Sequence, residues 1–142
     1  MRLWHIDLIP VLPREQLVSQ WRECSAIAGA IQKNSTPNHL LVNFITDYPF
    51  DEFISYSFYV RQEMTNRGYR TMGKVWEKIC SLKPQHQLIN KEDLFKNHMD
   101  DRYLIICYYN LSEKYLRGGF SQDTMKKIEQ VCRKINNYNS IF

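Results

Sequence analysis

Apolar residues recur at helical spacing along most of this 142-residue chain, and that spacing constrains its fold more than any other feature. The pattern is clearest between residues 13 and 33, where steps of four, three, four and three residues join Leu17, Trp21, Cys24, Ala28 and Ile31. Such steps keep side chains on one face of an α-helix. We therefore expect a long amphipathic helix that starts near Pro13, a residue well suited to a first helical turn.

Two more helices are predicted in the next third of the chain. The first covers residues 35–49, with Thr36 as its N-cap. The second runs from about residue 51 to residue 67 and stops at Gly68, because glycine readily takes the left-handed conformation that ends a helix. Since only a short turn joins them, we expect these two helices to pack as neighbours.

The second half of the chain continues the helical pattern. Short helices are predicted at residues 71–82 and 90–99, the latter capped by Asn90. Residues 101–119 repeat the apolar stripe and end in a glycine pair. Their apolar centre, residues 104–109, is also compatible with a buried strand, because periodicity cannot decide between helix and strand for so short a run.

The two ends of the chain complete the predicted architecture. Residues 2–12 contain Pro10 and cannot form a long helix, so we expect them to lie extended. Their anchors are Leu3, Trp4, Ile6, Leu8 and Ile9. A last helix, capped by Ser121, is predicted over residues 121–138. The sequence thus predicts an all-α, compact single-domain helical bundle over residues 1–142, with an extended amino-terminal segment packed against it.

Composition narrows the class of protein. No apolar run is long enough to span a membrane, which indicates a cytoplasmic protein, and a monomer is the default expectation. The net charge of +4 is compatible with a polyanionic partner without establishing one. No metal site or cofactor is expected, since the histidines lack ligand spacing and common catalytic and phosphate-binding motifs are absent. The cysteines fall at apolar positions and suit reduced, buried thiols: Cys24, Cys80, Cys107 and Cys132.

Two adjacent charges, Arg22 and Glu23, stand among small residues on the face of the first helix opposite its apolar stripe. Taken alone, such a pair is most simply a solvated surface. Adjacent helical residues do not point the same way, so they are not an obvious ion pair. Their interest comes from a wider pattern that includes the beginning of the chain.

Several short segments share their order and spacing with one enzyme family. The chain starts Met1-Arg2-Leu3 and reads Trp21-Arg22-Glu23 about twenty residues later. The pattern extends to roughly half of the chain through three further segments: Gly29 to Lys33, Tyr48 to Tyr69 and, more weakly, Leu104 to Lys114. Together they resemble the pyrimidine-dimer DNA glycosylase family. In that family an amino-terminal nucleophile followed by arginine precedes a helix that carries Tyr-Arg-Glu.

The resemblance implies a DNA repair glycosylase with AP lyase activity that acts on damaged double-stranded DNA. The chain's own α-amine would attack C1′ of the damaged nucleotide and form a Schiff base. An α-amine has a reference pKa of about 7.7–8.0, which leaves a sizeable neutral fraction at pH 7. The catalytic residues would be Met1 and Glu23. The DNA-binding residues would be Arg2, Arg22, Lys33 and Lys114.

The chain also departs from the family pattern. Arg2 is too bulky for ordinary removal of the initiator, so we predict that Met1 is retained and supplies the amine. Ala26 and Asn110 stand where the family has arginines, and the predicted helix at 121–138 replaces an aromatic carboxy-terminal segment. Two alternatives therefore stay open: a nucleic-acid-binding protein that kept the fold without the chemistry, and a helical interaction protein.

Overall fold

The structure, a computed structural model, describes residues 1–135. This part of the chain contains no strand, which confirms the all-α prediction. Residues 104–109 are helical. The α-helices are α1 (Arg14–Asn34), α2 (Phe50–Asn66), α3 (Gly73–Cys80), α4 (Asp101–Leu116) and α5 (Gln122–Cys132). Short 3-10 helices cover Ile6–Val11, Asn43–Asp47 and Lys91–Asp93.

One hydrophobic core joins these helices. Helix α1 packs against α2 and α3, and α4 packs against α5. The predicted stripe of α1 is buried throughout. All four cysteines are free thiols, as expected. Three of them are buried as predicted, whereas Cys80 is only partly buried. No helix of residues 1–135 has the length and apolar character needed to cross a membrane.

The amino-terminal segment lies inside this bundle, against α2 and α5. Its predicted anchors, from Leu3 to Ile9, are all buried. The expected extended conformation holds only as far as His5, because residues 6–11 form a 3-10 helix. His5 starts that helix: its Nδ1 accepts the Asp7 N–H at 3.1 Å and its carbonyl accepts the Leu8 N–H at 2.9 Å. The apolar side chains of this 3-10 helix that are buried in the core are Ile6, Leu8 and Ile9.

The prediction of a helix over residues 35–49 is wrong. This stretch is a structured loop that ends in the 3-10 helix Asn43–Asp47, and Thr36 is not an N-cap. Thr36 Oγ1 accepts the Asn38 N–H at 3.2 Å, and Asn43 Oδ1 accepts the His39 N–H at 2.8 Å. Asn38 has a left-handed φ of 54°. Side chains that take backbone donors in this way compete with helix formation.

The prediction of a helix over residues 90–99 is also wrong, since only Lys91–Asp93 forms one 3-10 turn and Asn90 makes no side-chain cap. Phe95 has a φ of 47° and is completely buried. Its N–H donates to Glu52 Oε1 at 2.7 Å. Burial of this aromatic ring therefore overrides the local helical preference.

Helix ends elsewhere follow the sequence signals. Gly68, with a φ of 80°, follows the end of α2, where the Tyr69 N–H donates to the Met64 carbonyl at 2.8 Å. Ser121 caps α5 through an acceptor contact to the Thr124 N–H at 3.2 Å. The helix predicted over residues 121–138 is too long, because α5 ends at Cys132 and residues 133–135 are not helical. Residues 136–138 lie outside the described residues.

A buried carboxylate fixes the loop between α3 and α4. Asp51 lies in the first turn of α2, where Oδ1 accepts from Lys83 Nζ at 2.6 Å and Oδ2 accepts the Gln87 N–H at 2.8 Å. Lys83 and the Gln87 N–H lower the pKa of Asp51. The folded state therefore holds the ionised form of this carboxyl more tightly than the unfolded chain does.

We expect Asp51→Asn to lower the free energy of unfolding at pH 7 by about 1–3 kcal/mol. Since the pKa of Asp51 is lowered by folding, its contribution is present above the unfolded pKa and is lost as pH falls. Urea denaturation from pH 7 to pH 3 should show the two proteins converging at low pH. Glu113→Gln, which removes an exposed pair with Arg117, is the control and should cost less than about 0.5 kcal/mol. A difference that does not vary with pH would contradict the ionic explanation.

Candidate active site at the amino terminus

The beginning of the chain lines an open pocket of about 360 Å³ between α1, α4 and the loop that follows α1. Its lining residues are Met1, Arg2, Trp4, Gln16, Ser19, Glu23, Leu41, Asn110 and Lys114. Four of the residues singled out in the sequence therefore meet at one place: Met1, Arg2, Glu23 and Lys114. Met1 is 44% exposed, so the residue is in contact with solvent.

The other two predicted DNA-binding residues lie elsewhere. Arg22 is exposed and lines a neighbouring concavity on α1, which shares Ser19 with the pocket. Lys33 is exposed in the last turn of α1 and lines neither concavity. Asn110, which stands where the family has an arginine, lines the pocket and donates to the Ile106 carbonyl of its own helix at 2.8 Å.

Gln20 is the buried residue that ties the beginning of the chain to α1. Its Oε1 accepts the Trp4 N–H at 2.7 Å, and its Nε2 donates to the Arg2 carbonyl at 3.0 Å. The same Nε2 lies 3.1 Å from Glu23 Oε2. One completely buried amide thus joins the amino-terminal backbone to the carboxylate of the pocket.

Two tyrosines on other helices bind the same stretch of backbone. The Tyr56 hydroxyl, on α2, donates to the Trp4 carbonyl at 2.6 Å and lies 3.0 Å from Gln20 Oε1. The Tyr103 hydroxyl, on α4, donates to the Leu3 carbonyl. Burial raises the pKa of both hydroxyls, which keeps them protonated donors. The carbonyls of residues 2–4 therefore each accept a hydrogen bond from a different helix.

Glu23 is half-buried, and partial desolvation raises its pKa above the usual value of 4.5. The positive α-amine of Met1 acts in the opposite direction, as do hydrogen bonds from the Arg2 backbone N–H and from Gln20. The net effect is a carboxyl that takes up a proton more readily than an exposed glutamate. Such a group beside an amine suits proton transfer.

Arg2 extends from this backbone toward α4. Its guanidinium carbon lies 5.9 Å from the centroid of the Tyr103 ring, within the range of a cation–π contact. Lys114 adds a second cation on the rim. Together they make the pocket suitable for an anionic group such as a phosphate. Among residues 1–135, no three His, Cys, Asp or Glu side chains are grouped so that they could hold a metal ion.

The sequence reasoning missed Gln20, Tyr56 and Tyr103. The sequence did contain an indication that Gln20 is important, because this residue lies beside the apolar stripe of α1 and three residues before Glu23. A polar residue at such a position is usually buried with specific partners. The tyrosines gave no signal, since their partners are 52 and 100 positions away in the chain.

We expect Gln20→Leu to lower the free energy of unfolding by about 1–3 kcal/mol, because the buried Trp4 N–H loses its acceptor. Amide hydrogen exchange at Trp4 should accelerate by more than the loss of global stability explains. Gln130→Leu, on the exposed face of α5, is the matched control and should change neither quantity. Unchanged exchange at Trp4 in the Gln20 variant would show that this amide does not hold the segment.

Comparison with known proteins finds a family match in the amino-terminal half of the chain. No curated protein and no solved structure matches the chain. Residues 1–77, however, match the family model described as pyrimidine dimer DNA glycosylase. The matched region includes Met1, Arg2, Gln20, Glu23 and Tyr56, and ends within α3. Because the match covers more than half of the length of the chain, the chain belongs to the pyrimidine dimer DNA glycosylase family.

Proposed function

We propose that this protein is a DNA glycosylase that excises pyrimidine dimers from double-stranded DNA and cleaves the resulting abasic site as an AP lyase. The observation that carries the proposal is the shared pocket of Met1 and Glu23, above a backbone fixed at residues 2–4. Membership of the family supports the substrate class. The pocket supports the choice of nucleophile.

In the proposed reaction, the neutral α-amine of Met1 attacks C1′ of the damaged nucleotide. A C1′–N bond forms, the glycosidic bond breaks, and the base leaves with its electron pair and takes up a proton. Opening of the sugar ring at O4′, with loss of the amine proton, gives a Schiff base. Removal of a proton from C2′ then expels the 3′ phosphate by β-elimination.

Glu23 is the proposed proton-transfer group for these steps. Its carboxylate would stabilise positive charge that develops on the sugar and would remove or return protons during ring opening and elimination. Partial burial raises its pKa, so the protonated form is more accessible than for an exposed glutamate. Gln20 would hold the carboxylate in place through the contact at 3.1 Å.

The cations around the pocket are the proposed DNA contacts. Arg2 and Lys114 would bind the phosphates that flank the reacting nucleotide. Arg22, in the neighbouring concavity, would bind the next part of the DNA backbone. Lys33, in the last turn of α1, would bind a more distant DNA phosphate. Distortion at the lesion would lower the cost of drawing the nucleotide out of the duplex.

Borohydride trapping tests the nucleophile. With abasic-site duplex DNA, the protein with a verified free Met1 amine should form a covalent adduct that mass spectrometry locates on residue 1. A short amino-terminal extension should abolish trapping, because the new amine no longer lies beside Glu23, whereas the same extension at the carboxy terminus should not. Lys114→Arg should still trap, since Lys114 is proposed to bind phosphate.

The trapping result can contradict the proposal in two ways. An adduct located on Lys114 would assign the nucleophile to the other amine of the pocket. The protein could instead bind DNA in a salt-sensitive way, form no trapped adduct and leave UV-irradiated duplex uncut. That result would favour a protein that binds nucleic acid without cleaving it.

The role of Glu23 is tested by Glu23→Gln, which should lower the rate of strand cleavage by about 10²–10⁴-fold with little effect on duplex binding. The neutral amine and the carboxylate are both needed, so the wild-type rate should fall as pH decreases and should fall more steeply through the raised pKa of Glu23. The residual activity of the variant should lose this steeper fall and keep only the part due to the amine. Glu77→Gln, an exposed residue of α3 that lines neither concavity, is the control. An equally steep fall in Glu23→Gln would assign it to another group.

A further inference from the structure

The side chain of Lys78, on α3, ends on the surface of α1. Lys78 Nζ lies 3.4 Å from Ser25 Oγ, to which it donates. A Cβ atom added at Gly29 would lie only 2.9 Å from the same Nζ and 3.2 Å from Lys78 Cε. The end of this lysine therefore occupies the space where a side chain of residue 29 would project.

A glutamine of α1 fixes the backbone that carries Lys78. Gln32 Nε2 donates to Ser81 Oγ at 2.6 Å and to the Lys78 carbonyl at 3.3 Å. Ile79, the next residue of α3, is completely buried in the core. The main chain of Lys78 is thus held against α1, and its ammonium group contacts the same helix at Ser25.

Lys78 completes a line of three cations along α1. Arg22, Gly29 and Lys33 follow one another at steps of seven and four residues, so they share one face of the helix. Because the ammonium of Lys78 lies at Gly29, the three positive charges extend over about 16 Å of the helix axis. The line begins beside the pocket, since the concavity that Arg22 lines shares Ser19 with it.

The middle of this line has no cation from α1 itself. No lysine or arginine stands between Arg22 and Lys33 in the sequence. Ala26, one turn after Arg22, occupies a position where the resemblance would place an arginine. Lys78 thus supplies from α3 the positive charge that α1 lacks at this point.

The three cations are available to an external anion. Among residues 1–135, no carboxylate forms an ion pair with Arg22, Lys33 or Lys78. Lys78 is partly buried, and a charge that has lost part of its water is unfavourable without a compensating partner. An ammonium group has three N–H donors, and the Ser25 hydroxyl takes only one of them. An anion bound at this point would accept from the others.

We propose that Lys78 contacts a DNA phosphate and that Arg22, Lys78 and Lys33 form one track for the DNA backbone along α1, leading away from the pocket. The nature of the partner, duplex DNA, rests on the proposed function. A small anion would need cations that converge on one point. Cations spread along a straight helix instead match a polyanion with regularly spaced charges, such as the phosphate backbone.

Salt-dependent binding tests the track without requiring catalysis. The probe is a fluorescent duplex with a tetrahydrofuran abasic-site analogue, which cannot form a Schiff base. Lys78→Gln should weaken binding about 3–10-fold and lower the slope of log affinity against log salt concentration by about 0.9, the value of one phosphate contact. Lys78→Arg, which keeps the charge, should keep the slope. Lys96→Gln, which removes an exposed lysine outside α1 and α3, is the matched control and should bind as wild type.

Gly29→Ala tests the position of the ammonium group. The new methyl group would meet Lys78 Nζ at 2.9 Å, so the flexible end of the lysine must move away from α1. Both changes act on one contact, so Gly29→Ala combined with Lys78→Gln should bind no more weakly than Lys78→Gln alone. Gly73→Ala is the control, because an added Cβ there would meet no atom within 4 Å. A double variant weaker than either single variant would overturn the placement of Lys78 in the track.

Chemical modification of the unaltered protein locates the contact directly. Lysines are acetylated with and without saturating duplex probe, and the modified residues are counted by mass spectrometry. The duplex should protect Lys33 and Lys78, whereas Lys96 should react equally in both samples.

The outcomes separate the track from the proposed chemistry. Binding that depends on Lys78, in a protein that forms no borohydride adduct, would end the proposed function and leave the track supported. An unchanged salt slope in Lys78→Gln, or full reactivity of Lys78 in the complex, would overturn the track. Lower thermal stability of Lys78→Gln with an unchanged slope would also overturn it, and would assign the lysine to the packing of α3 on α1.

Discussion

The hydrogen bonds to the backbone of residues 2–4 are the constraint on which the site depends. The end of a chain is normally loose, because few contacts offset the entropy of ordering it. Here Gln20, Tyr56 and Tyr103 each hold one carbonyl, and Gln20 also accepts the Trp4 N–H. The α-amine is therefore only one residue away from fixed backbone. The same amide of Gln20 contacts Glu23, so one side chain sets both the position of the amine and the environment of the carboxylate.

Helical periodicity predicted α1, α2, α4 and α5 because their packing faces are regular. It failed at residues 35–49 and 90–99 for identifiable reasons. In the first stretch, Asn43 and Thr36 accept backbone N–H groups that a helix would have used. In the second, Phe95 takes a left-handed conformation that buries its ring. The first depends on local side-chain contacts that helical periodicity does not record, and the second on packing against α2, where the Glu52 carboxylate accepts the Phe95 N–H from 43 positions away.

The candidate site was predictable to a different degree at each residue. Met1 and Glu23 followed from the resemblance at the beginning of the chain, and both line one pocket. Lys114 came from a weak similarity, yet it lines the same pocket. Arg22 and Lys33 were grouped with these residues by sequence alone, but the turn of α1 directs them to other surfaces. Gln20 was missed although it lies beside the apolar stripe of α1, because its partners Arg2, Trp4 and Tyr56 are 16 to 36 positions away in the chain.

The bond from Tyr103 to the Leu3 carbonyl has a consequence for how the molecule is made. Synthesis runs from the amino terminus, so residues 2–4 emerge well before α4, which supplies one of their hydrogen bonds. Residues 1–77 carry the family signature, but one of the three carbonyl contacts comes from α4, beyond that region. A nascent chain that ends before residue 103 thus lacks part of the frame around its own amine. The pocket is complete only after α4 has been made.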